Sequence, residues 1–323
     1  MLVISESLAR ELVTVEEAID AVEQTFAAMA RGFARNYPVV REVVGHANAV
    51  FGVKTGADVS VPFLGLKAGG YWPGNMAMGL TNHQSSTLLF DPETGRASAL
   101  VSANYLTGVR TGAASALATK HLSRPQSRSL GIIGTGTQSA YQLRATLAVR
   151  PIRVVHAWDP SPQNLDSFGK VVAALGLEYK THAQRKDLVE ASDVIITVTP
   201  SNEALVEKEW VRPGTHISAM GADTRGKQEL DPALVASAAL FVDELAQSIS
   251  IGEFQHAFGQ GLISEADIRG SIGAVIAGIV EGRRSEDEIT IFDGTGVSLQ
   301  DLVVADLAVR RAIDKQLGSS VDF

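Results

Sequence analysis

The larger, C-terminal part of the chain constrains the fold most, because from Ser129 onwards short apolar runs alternate with helical patterns. Strands are predicted at 129–133, 152–158, 177–181, 193–198, 215–219, 239–243 and 289–292, and helices at 137–149, 161–175 and 271–281. This alternation is typical of a parallel sheet with right-handed crossovers. The run 193–198 is almost wholly apolar, as expected for a strand covered on both faces. The sequence therefore predicts an α/β fold built on a Rossmann-type, doubly wound parallel sheet.

A helix is the first element that the N-terminal region predicts. Thr14 and Glu17 form a T-x-x-E capping box, which marks a helix N-terminus. An apolar stripe with steps of three and four follows at Val15, Ile19, Val22, Phe26, Met29 and Phe33. This spacing predicts one buried face of an amphipathic helix.

The rest of the N-terminal region reads as a smaller α+β domain. In residues 38–103, proline and glycine punctuate short apolar runs, and 91–95 has the composition of a hairpin turn. The pattern favours a mainly antiparallel sheet. Residues 104–122 and 298–317 favour helices, and the segment around Pro125 marks a domain junction.

Composition excludes several classes of protein. Lys plus Arg number 28 against 36 Asp plus Glu, a net charge of −8 without a long basic run, which disfavours nucleic-acid and anionic-membrane partners. The absence of cysteine excludes disulfides, cysteine nucleophiles and Cys-ligated metal sites. No apolar run approaches the ~20 residues of a membrane span, and the N-terminus lacks a signal-peptide pattern. We therefore expect a cytoplasmic enzyme or ligand-binding protein.

A glycine turn follows the strand predicted at 129–133 and opens a helix. Gly134 permits the tight bend, Gly136 lets the backbone approach a pyrophosphate, and the helix N-terminus offers N–H groups to that anion. Ser139 replaces the third glycine of the dinucleotide-binding pattern, and the next strand ends at Asp159, where an acidic residue meets a ribose 2′-OH. The alternative is a tight turn with an ordinary surface aspartate. Because Asp159 would repel a 2′-phosphate, the pattern favours NAD(H) over NADP(H).

No sequence motif indicates a chemistry other than hydride transfer. The seven histidines show no metal-ligand spacing, so no metal is expected, and no G-x-S-x-G nucleophile elbow is present. A nicotinamide enzyme also needs charged groups that fix the substrate and a group that gives or takes a proton.

Five residues are candidates for those tasks. Lys67 lies in an apolar strand, where burial would lower its pKa, although an edge-strand lysine facing water is the alternative. Arg110 lies near the start of its helix, where the helix dipole disfavours a positive charge. This position predicts an anion beside Arg110. Arg41 could clamp a second carboxylate, and Asp223 follows a parallel strand, where functional loops lie. A surface arginine and a turn-forming aspartate are the alternatives, and His83 is a substrate contact or a structural histidine.

Together these motifs resemble the ornithine cyclodeaminase/μ-crystallin family over nearly the whole chain. The resemblance rests on four segments in order, 65–67, 106–115, 134–138 and 221–231. It implies a homodimer with an NAD(P)-binding Rossmann domain at 123–297. It also implies a substrate-binding and dimerisation domain at 1–122 that the last helix rejoins, at 298–323.

The resemblance also implies roles for individual residues. The family's substrate-carboxylate residues correspond to Arg41, Lys67 and Arg110, and its catalytic aspartate corresponds to Asp223. We expect Lys67 and Asp223 to share the protonation of the substrate nitrogen, with His83 as a further substrate donor. The candidate cofactor-binding residues are Thr111, Gly134, Gly136, Thr137, Gln138, Asp159, Thr199, Met220, Thr295 and Gly296.

Within the family, five segments are most similar to the bacterial branch that reduces iminosuccinate. These segments are 69–73, 82–85, 90–92, 226–235 and 248–253. The similarity implies an NADH-dependent imine reductase that forms L-aspartate from iminosuccinate by hydride transfer to a protonated imine. Ornithine cyclodeaminase, alanine dehydrogenase and ketimine reductase activities stay open as alternatives, as does a non-catalytic binding role like that of μ-crystallin.

Overall fold

The computed structural model describes residues 1–322, which form two compact units. The first unit comprises Met1–Arg110 together with the chain from Val297 onwards, and the second unit comprises Thr111–Gly296. The functional division expected from the sequence, with boundaries at residues 122 and 298, stays a prediction.

The chain up to Leu122 forms a strand, two helices, six further strands and a long helix, and the second unit begins within that last helix. The sequence patterns do not predict the first strand and the first helix, which are only three and seven residues long. The capping box of Thr14 and Glu17 is confirmed at the start of the second helix. The elements are β1 (Leu2–Ile4), α1 (Glu6–Leu12), α2 (Val15–Ala30), β2 (Ala34–Asn36), β3 (Val40–Val43), β4 (Val50–Asp58), β5 (Phe63–Tyr71), β6 (His83–Phe90), β7 (Ala97–Ser102) and α3 (Asn104–Leu122).

Helix α2 ends before the predicted apolar stripe does. The helix stops at Ala30, and Gly32 adopts a left-handed φ of +79°, which turns the chain. Phe33 therefore lies outside the helix and is exposed. The prediction that Phe33 continues the buried face is wrong, because the glycine ends the helical register one turn earlier.

Strands and helices alternate along the second unit, as predicted. Its elements are β8 (Ser129–Ile133), α4 (Ser139–Val149), β9 (Val154–Trp158), α5 (Pro162–Ala174), β10 (Glu178–Thr181), α6 (Arg185–Ala191), β11 (Val194–Thr197), β12 (Asn202–Val206), β13 (His216–Ala219), β14 (Gln228–Leu230), α7 (Pro232–Val235), β15 (Ala239–Val242), α8 (Leu245–Ser248), α9 (Gln255–Gly259), β16 (Ile268–Ser271), α10 (Ile272–Ile276) and β17 (Thr290–Asp293). The chain then forms α11 (Ser298–Asp314) and β18 (Ser319–Ser320). The helix predicted at 271–281 is too long, since α10 ends at Ile276 and Gly278 takes a left-handed φ of +72°.

An eight-stranded parallel sheet forms the core of the second unit. Its strand order is β10-β9-β8-β11-β13-β17-β15-β16, and every pairing along it is parallel. The central strands β11, β13 and β17 are buried along their whole length, which confirms the doubly wound, Rossmann-type fold. Strands β9 and β11 lie on opposite sides of β8, so the strand order reverses beside β8, where ligands bind in folds of this kind.

A mainly antiparallel sheet forms the core of the first unit, as predicted. Its order is β18-β1-β7-β6-β5-β4-β2, with β3 paired to β4. Helix α11 packs on one face of this sheet, at Gly56 of β4 and Gly65 of β5. A β-carbon at Gly65 would lie 3.0 Å from Leu302 Cδ2, and one at Gly56 would lie 3.3 Å from Leu299 Cδ2. These two glycines therefore let the helix approach the sheet closely.

Within residues 1–322, no helix is long and apolar enough to cross a membrane.

Candidate active site

The turn between β8 and α4 is open on the side where a ligand would approach. Gly134 has a φ of +95°, and a β-carbon there would lie 2.8 Å from Val198 O, so this position requires glycine. A β-carbon at Gly136 would meet no atom within 4 Å. Gln138 caps α4 without a side-chain hydrogen bond, and its buried Oε1 atom has no partner among the described residues. An open glycine at a helix N-terminus fits the pyrophosphate of a dinucleotide, because free backbone N–H groups there can donate to the anion.

Asp159 lies directly after β9 and contacts the glycine turn. Its Oδ2 atom accepts hydrogen bonds from Thr135 N at 2.7 Å and Thr135 Oγ1 at 3.1 Å. Its Oδ1 atom accepts from Ser161 N at 2.8 Å. The carboxylate therefore stands beside the turn with its charge available to oppose a 2′-phosphate. Its role as the ribose acceptor stays a prediction.

The other candidate cofactor-binding residues of the second unit follow neighbouring strands. Thr199 follows β11, Met220 follows β13, and Thr295 with Gly296 follows β17. Because β8, β11, β13 and β17 are successive strands of one parallel sheet, these residues share its carboxyl edge with the glycine turn. Thr137 lies in the glycine turn itself, just before α4, and Thr111 lies in α3.

Two buried carboxylates, Glu229 and Asp243, hold the loops at this edge. Glu229 accepts from Thr199 N at 2.6 Å, from Thr199 Oγ1 at 2.7 Å and from Gly221 N at 2.9 Å. Asp243 accepts from Thr295 Oγ1 and Gly296 N, both at 2.7 Å. Sequence reasoning assigned neither carboxylate a role. The available signal for Asp243 was an acidic residue directly after the short apolar run 239–242.

Two further buried carboxylates, those of Glu253 and Asp293, add hydrogen bonds to this arrangement. Glu253 accepts from Glu229 N at 2.9 Å and from Leu230 N at 2.6 Å, and Asp293 accepts from Glu253 N at 2.9 Å and from Ser248 Oγ. Burial raises the pKa of Glu229, of Glu253 and of Asp293, and the charge of Glu229 raises the pKa of Glu253 further. Protonation of part of this group relieves the repulsion between neighbouring carboxylates.

Asp223 lies in the loop after β13, as predicted. Its Oδ1 atom accepts from Lys227 Nζ at 2.7 Å, and the same ammonium donates to Gly221 O at 3.2 Å. The Asp223 side chain is 35% exposed. Lys227, which sequence reasoning did not single out, therefore fixes the carboxylate while leaving it accessible.

Lys67 is buried in the middle of the sheet of the first unit. It lies on β5, between β4 and β6, and only 7% of the residue is exposed. Its Nζ atom donates to Thr107 Oγ1 at 2.7 Å and to Asp301 Oδ1 at 3.1 Å. Burial lowers the pKa of Lys67 to about 7, with Arg110 adding to this effect and Asp301 opposing it. The edge-strand alternative is wrong, because both neighbouring strands cover this position.

The anion predicted beside Arg110 is present, and it is a carboxylate of the protein itself. Its Nε atom donates to Asp301 Oδ1 at 2.8 Å, and its Nη1 atom donates to Gln300 Oε1 at 2.9 Å. Burial alone would raise the pKa of Asp301, but the charges of Arg110 and Lys67 outweigh it and hold this pKa at about 2. Asp301 of α11 is therefore the counter-ion of both cations. Sequence reasoning assigned Asp301 no role in the site.

The register of the sheet places the other substrate candidates on the face that carries Lys67. Arg41 pairs with Gly52, Gly52 pairs with Gly69, and Tyr71 pairs with His83. Directly paired residues share a face, and so do residues two apart along a strand. Arg41, Lys67 and His83 therefore project from one face of the sheet, which is also the face on which α11 packs.

The chain matches a known family over almost its entire length. The sequence model of the ornithine cyclodeaminase/mu-crystallin family matches residues 1–316. The chain belongs to this family. It is 50% identical to the iminosuccinate reductase of Paracoccus denitrificans over 323 residues, which is 100% of both chains.

Solved structures of family members have the same fold. The crystal structure of the Paracoccus denitrificans iminosuccinate reductase in complex with NAD+ superposes with a TM-score of 0.95, covering 100% of this chain and 99% of the other. An archaeal alanine dehydrogenase dimer with bound NAD also gives a TM-score of 0.95, at 36% identity, covering 100% of this chain and 99% of the other. The family therefore includes NAD-binding members whose fold closely matches both units of this chain.

Proposed function

We propose that the chain is an NADH-dependent imine reductase that converts iminosuccinate into L-aspartate. The observation that carries the proposal is the 50% identity with iminosuccinate reductase over the full length of both chains. A set of cations suited to a dianionic imine acid supports it, since Arg41 and Lys67 share one face of the sheet and Arg110 lies beside the same carboxylate as Lys67. A cytoplasmic location belongs to the same proposal.

NADH is the proposed cofactor, and it supplies the hydride when bound. The open turn at Gly136 and the carboxylate of Asp159 support this assignment. Gly134, Thr137 and Gln138 would hold the pyrophosphate, and Asp159 the adenosine ribose. The remaining proposed cofactor contacts are Thr111, Thr199, Met220, Thr295 and Gly296.

Lys67 is the proposed proton donor to the imine nitrogen. A pKa of about 7 leaves both protonation states of its Nζ atom populated near neutral pH, which suits a general acid. Its bonds to Thr107 and Asp301 fix the position of the ammonium. Asp223 is the second proposed catalytic group, and Arg41, Arg110 and His83 are proposed to hold the carboxylates of the substrate.

A homodimer is also proposed. Exposed apolar side chains concentrate on β3, on β4 and in the segment before β6: Val40, Val43, Phe51, Met76, Met78 and Leu80. Apolar surface of this extent in one region is typical of a protein interface. The archaeal alanine dehydrogenase, which shares the fold, is a dimer.

Turnover with a panel of keto acids tests the proposed reaction. NADH, ammonium and a keto acid are mixed with the protein, and the loss of NADH absorbance is followed. We expect oxaloacetate, which forms iminosuccinate with ammonia, to give the highest kcat/KM. A higher value with pyruvate would make the chain an alanine dehydrogenase, and proline formed from ornithine would make it a cyclodeaminase. NADH binding without turnover of any substrate would favour a non-catalytic role.

Replacing Gly136 by alanine tests the proposed cofactor site. The new methyl group would meet no protein atom, and the position has no positive φ, so the melting temperature is expected to stay unchanged. The same methyl group would occupy the approach to the pyrophosphate, so the Kd for NADH is expected to rise by about tenfold or more. Fluorescence titration with NADH measures this change.

Gly259→Ala is the matched control. Its β-carbon would also meet no atom within 4 Å, and Gly259 lies in the same unit but far along the chain from the turn. We expect Gly259→Ala to bind NADH like the wild type. Equal affinities for Gly136→Ala and the wild type would show that the turn does not hold the cofactor.

A further inference from the structure

Thr107 of α3 is the uncharged hydrogen-bond partner of Lys67. The residue is buried, and its Oγ1 atom accepts from Lys67 Nζ at 2.7 Å. The hydroxyl donates its own proton to Ala103 O, which lies 2.6 Å away and four residues earlier in the chain. Ser85 Oγ lies farther away, at 3.4 Å, and can itself donate to Thr107. Because a hydroxyl has a single proton, Thr107 can only accept from Lys67.

Both hydrogen-bond partners of Lys67 therefore accept, and neither donates. The second partner, Asp301 Oδ1, lies 3.1 Å from Nζ, and the pKa of about 2 keeps that carboxylate ionised at neutral pH. Within residues 1–322, Lys67 Nζ forms hydrogen bonds with these two oxygens alone. A lysine nitrogen has three positions besides its bond to carbon, so one position is left for a partner from outside the chain.

The number of protons on Lys67 determines what occupies that third position. The ammonium form has three N–H groups, two of which are donated to Thr107 and Asp301. The neutral amine has two N–H groups and one lone pair, and the same two acceptors take both N–H groups. The proton that Lys67 gains or loses is therefore always the one at the third position, and the tetrahedral geometry of Nζ fixes its direction.

We propose that Thr107 is a positioning residue that, together with Asp301, directs the transferable proton of Lys67 towards the imine nitrogen of the substrate. This inference rests on the proposed function, because it requires Lys67 to be the proton donor. In the step, the third N–H bond of Nζ breaks and its electron pair stays on the lysine. A new N–H bond forms on the imine nitrogen and makes it an iminium. Without Thr107, rotation about the Cε–Nζ bond is less restricted and the proton loses its fixed direction.

The test replaces Thr107 by valine, which has nearly the same shape and lacks the hydroxyl. Turnover of oxaloacetate is measured with ammonium and saturating NADH. We expect kcat to fall by about 10–100-fold, the usual effect of misplacing a reacting group. The KM for oxaloacetate is expected to change by less than about threefold, because Thr107 acts on Lys67 and has no proposed contact with the substrate.

The pH profile distinguishes positioning from a purely structural role. The charged groups that act on Lys67 are Asp301, Arg110 and Lys54, and Thr107→Val leaves all three in place. The loss of a hydrogen bond to the ammonium favours the neutral amine, so the pKa of Lys67 is expected to fall below about 7. The alkaline fall of kcat/KM should then begin at a lower pH than in the wild type. A lower melting temperature with an unchanged profile would overturn the positioning role.

Two single variants are the controls. Thr107→Ser keeps the hydroxyl and its possible bond to Ala103 O, so its kcat is expected to stay within about threefold of the wild type, with the same pH profile. Thr119→Val makes the same change on the same helix, at a fully buried position whose Oγ1 atom has no hydrogen-bond partner among the described residues. It is expected to leave kcat and the profile unchanged. A Thr107→Ser enzyme as slow as Thr107→Val would count against the hydroxyl.

A double variant tests whether Thr107 acts through Lys67. In a Lys67→Met enzyme, adding Thr107→Val is expected to change kcat by less than about twofold, because no lysine proton remains to be directed. A further loss as large as in the wild-type background would overturn the inference while the reductase function stands. A wild type that prefers pyruvate would contradict the proposed substrate, and the same variants measured on pyruvate would then decide the role of Thr107.

Discussion

Replacing Lys67 by methionine is expected to lower kcat by about 10²–10⁴-fold, the range that a positioned general acid contributes. The methionine side chain keeps the length of the buried stem but carries no proton. The variant loses the two hydrogen bonds that Lys67 Nζ donates to Thr107 Oγ1 and to Asp301 Oδ1, whereas Arg110 still donates to Asp301. NADH binding is expected to be unchanged, since none of the proposed cofactor contacts is replaced and Lys67 lies on β5, in the sheet of the other unit.

The pH dependence of the wild-type rate tests the same role of Lys67. Its folded-state pKa is about 7, below the usual value for lysine, so the ammonium loses its proton as pH rises through neutrality. The kcat/KM for imine reduction is therefore expected to fall as pH rises above about 7. Lys67→Arg stays protonated throughout this range and is expected to lose that limb of the profile. A Lys67→Met enzyme with the wild-type kcat would contradict the assignment.

Replacing Asp301 by asparagine is expected to reduce the free energy of unfolding by about 3–5 kcal/mol, the usual effect of removing one partner of a buried ion pair. Asp301 is fully buried and accepts from both Lys67 and Arg110, so the variant leaves two buried cations without a counter-ion. Urea unfolding measures the difference. Asp314→Asn, at an exposed position near the end of the same helix, is the control and is expected to change stability by less than about 0.5 kcal/mol.

The same variant shifts the proton equilibrium of Lys67. The charge of Asp301 raises the pKa of Lys67, so its removal is expected to lower that pKa below about 7. The alkaline fall of kcat/KM should then begin at a lower pH. A variant that keeps both the wild-type stability and the wild-type profile would show that Asp301 does not act as the counter-ion.

Local sequence patterns predicted those elements of the fold that are set by residues close together along the chain. The capping box at Thr14 and the strand, glycine turn and helix around Gly134 are confirmed. The helix predicted at 271–281 is too long, because α10 ends at Ile276 and Gly278 takes a left-handed φ. Apolar spacing carries no signal for a single positive φ.

The charge partners within the site depend on contacts that local patterns do not contain. Asp301 lies 234 residues after Lys67, and its role follows from the return of α11 to the sheet of the first unit. Glu229 and Asp243 likewise gain their roles from loops that meet at one sheet edge.

The charged groups of the site are not all cations, because a buried carboxylate lies among them. A net charge of −8 opposes a dianionic substrate, so the sequence suggests that Arg41, Lys67 and Arg110 must outweigh that field. The structure adds Asp301, which balances part of the charge of Lys67 and Arg110.

The amino acid formed in the keto-acid assay tests the central claim most directly. The protein is incubated with oxaloacetate, isotope-labelled ammonium and NADH deuterated at the transferring position, and the product is analysed by mass spectrometry on a chiral column. The account predicts L-aspartate that carries the labelled nitrogen and deuterium on its α-carbon, formed with a higher kcat/KM than L-alanine from pyruvate. Faster formation of L-alanine, or an absence of deuterium in aspartate, would contradict it.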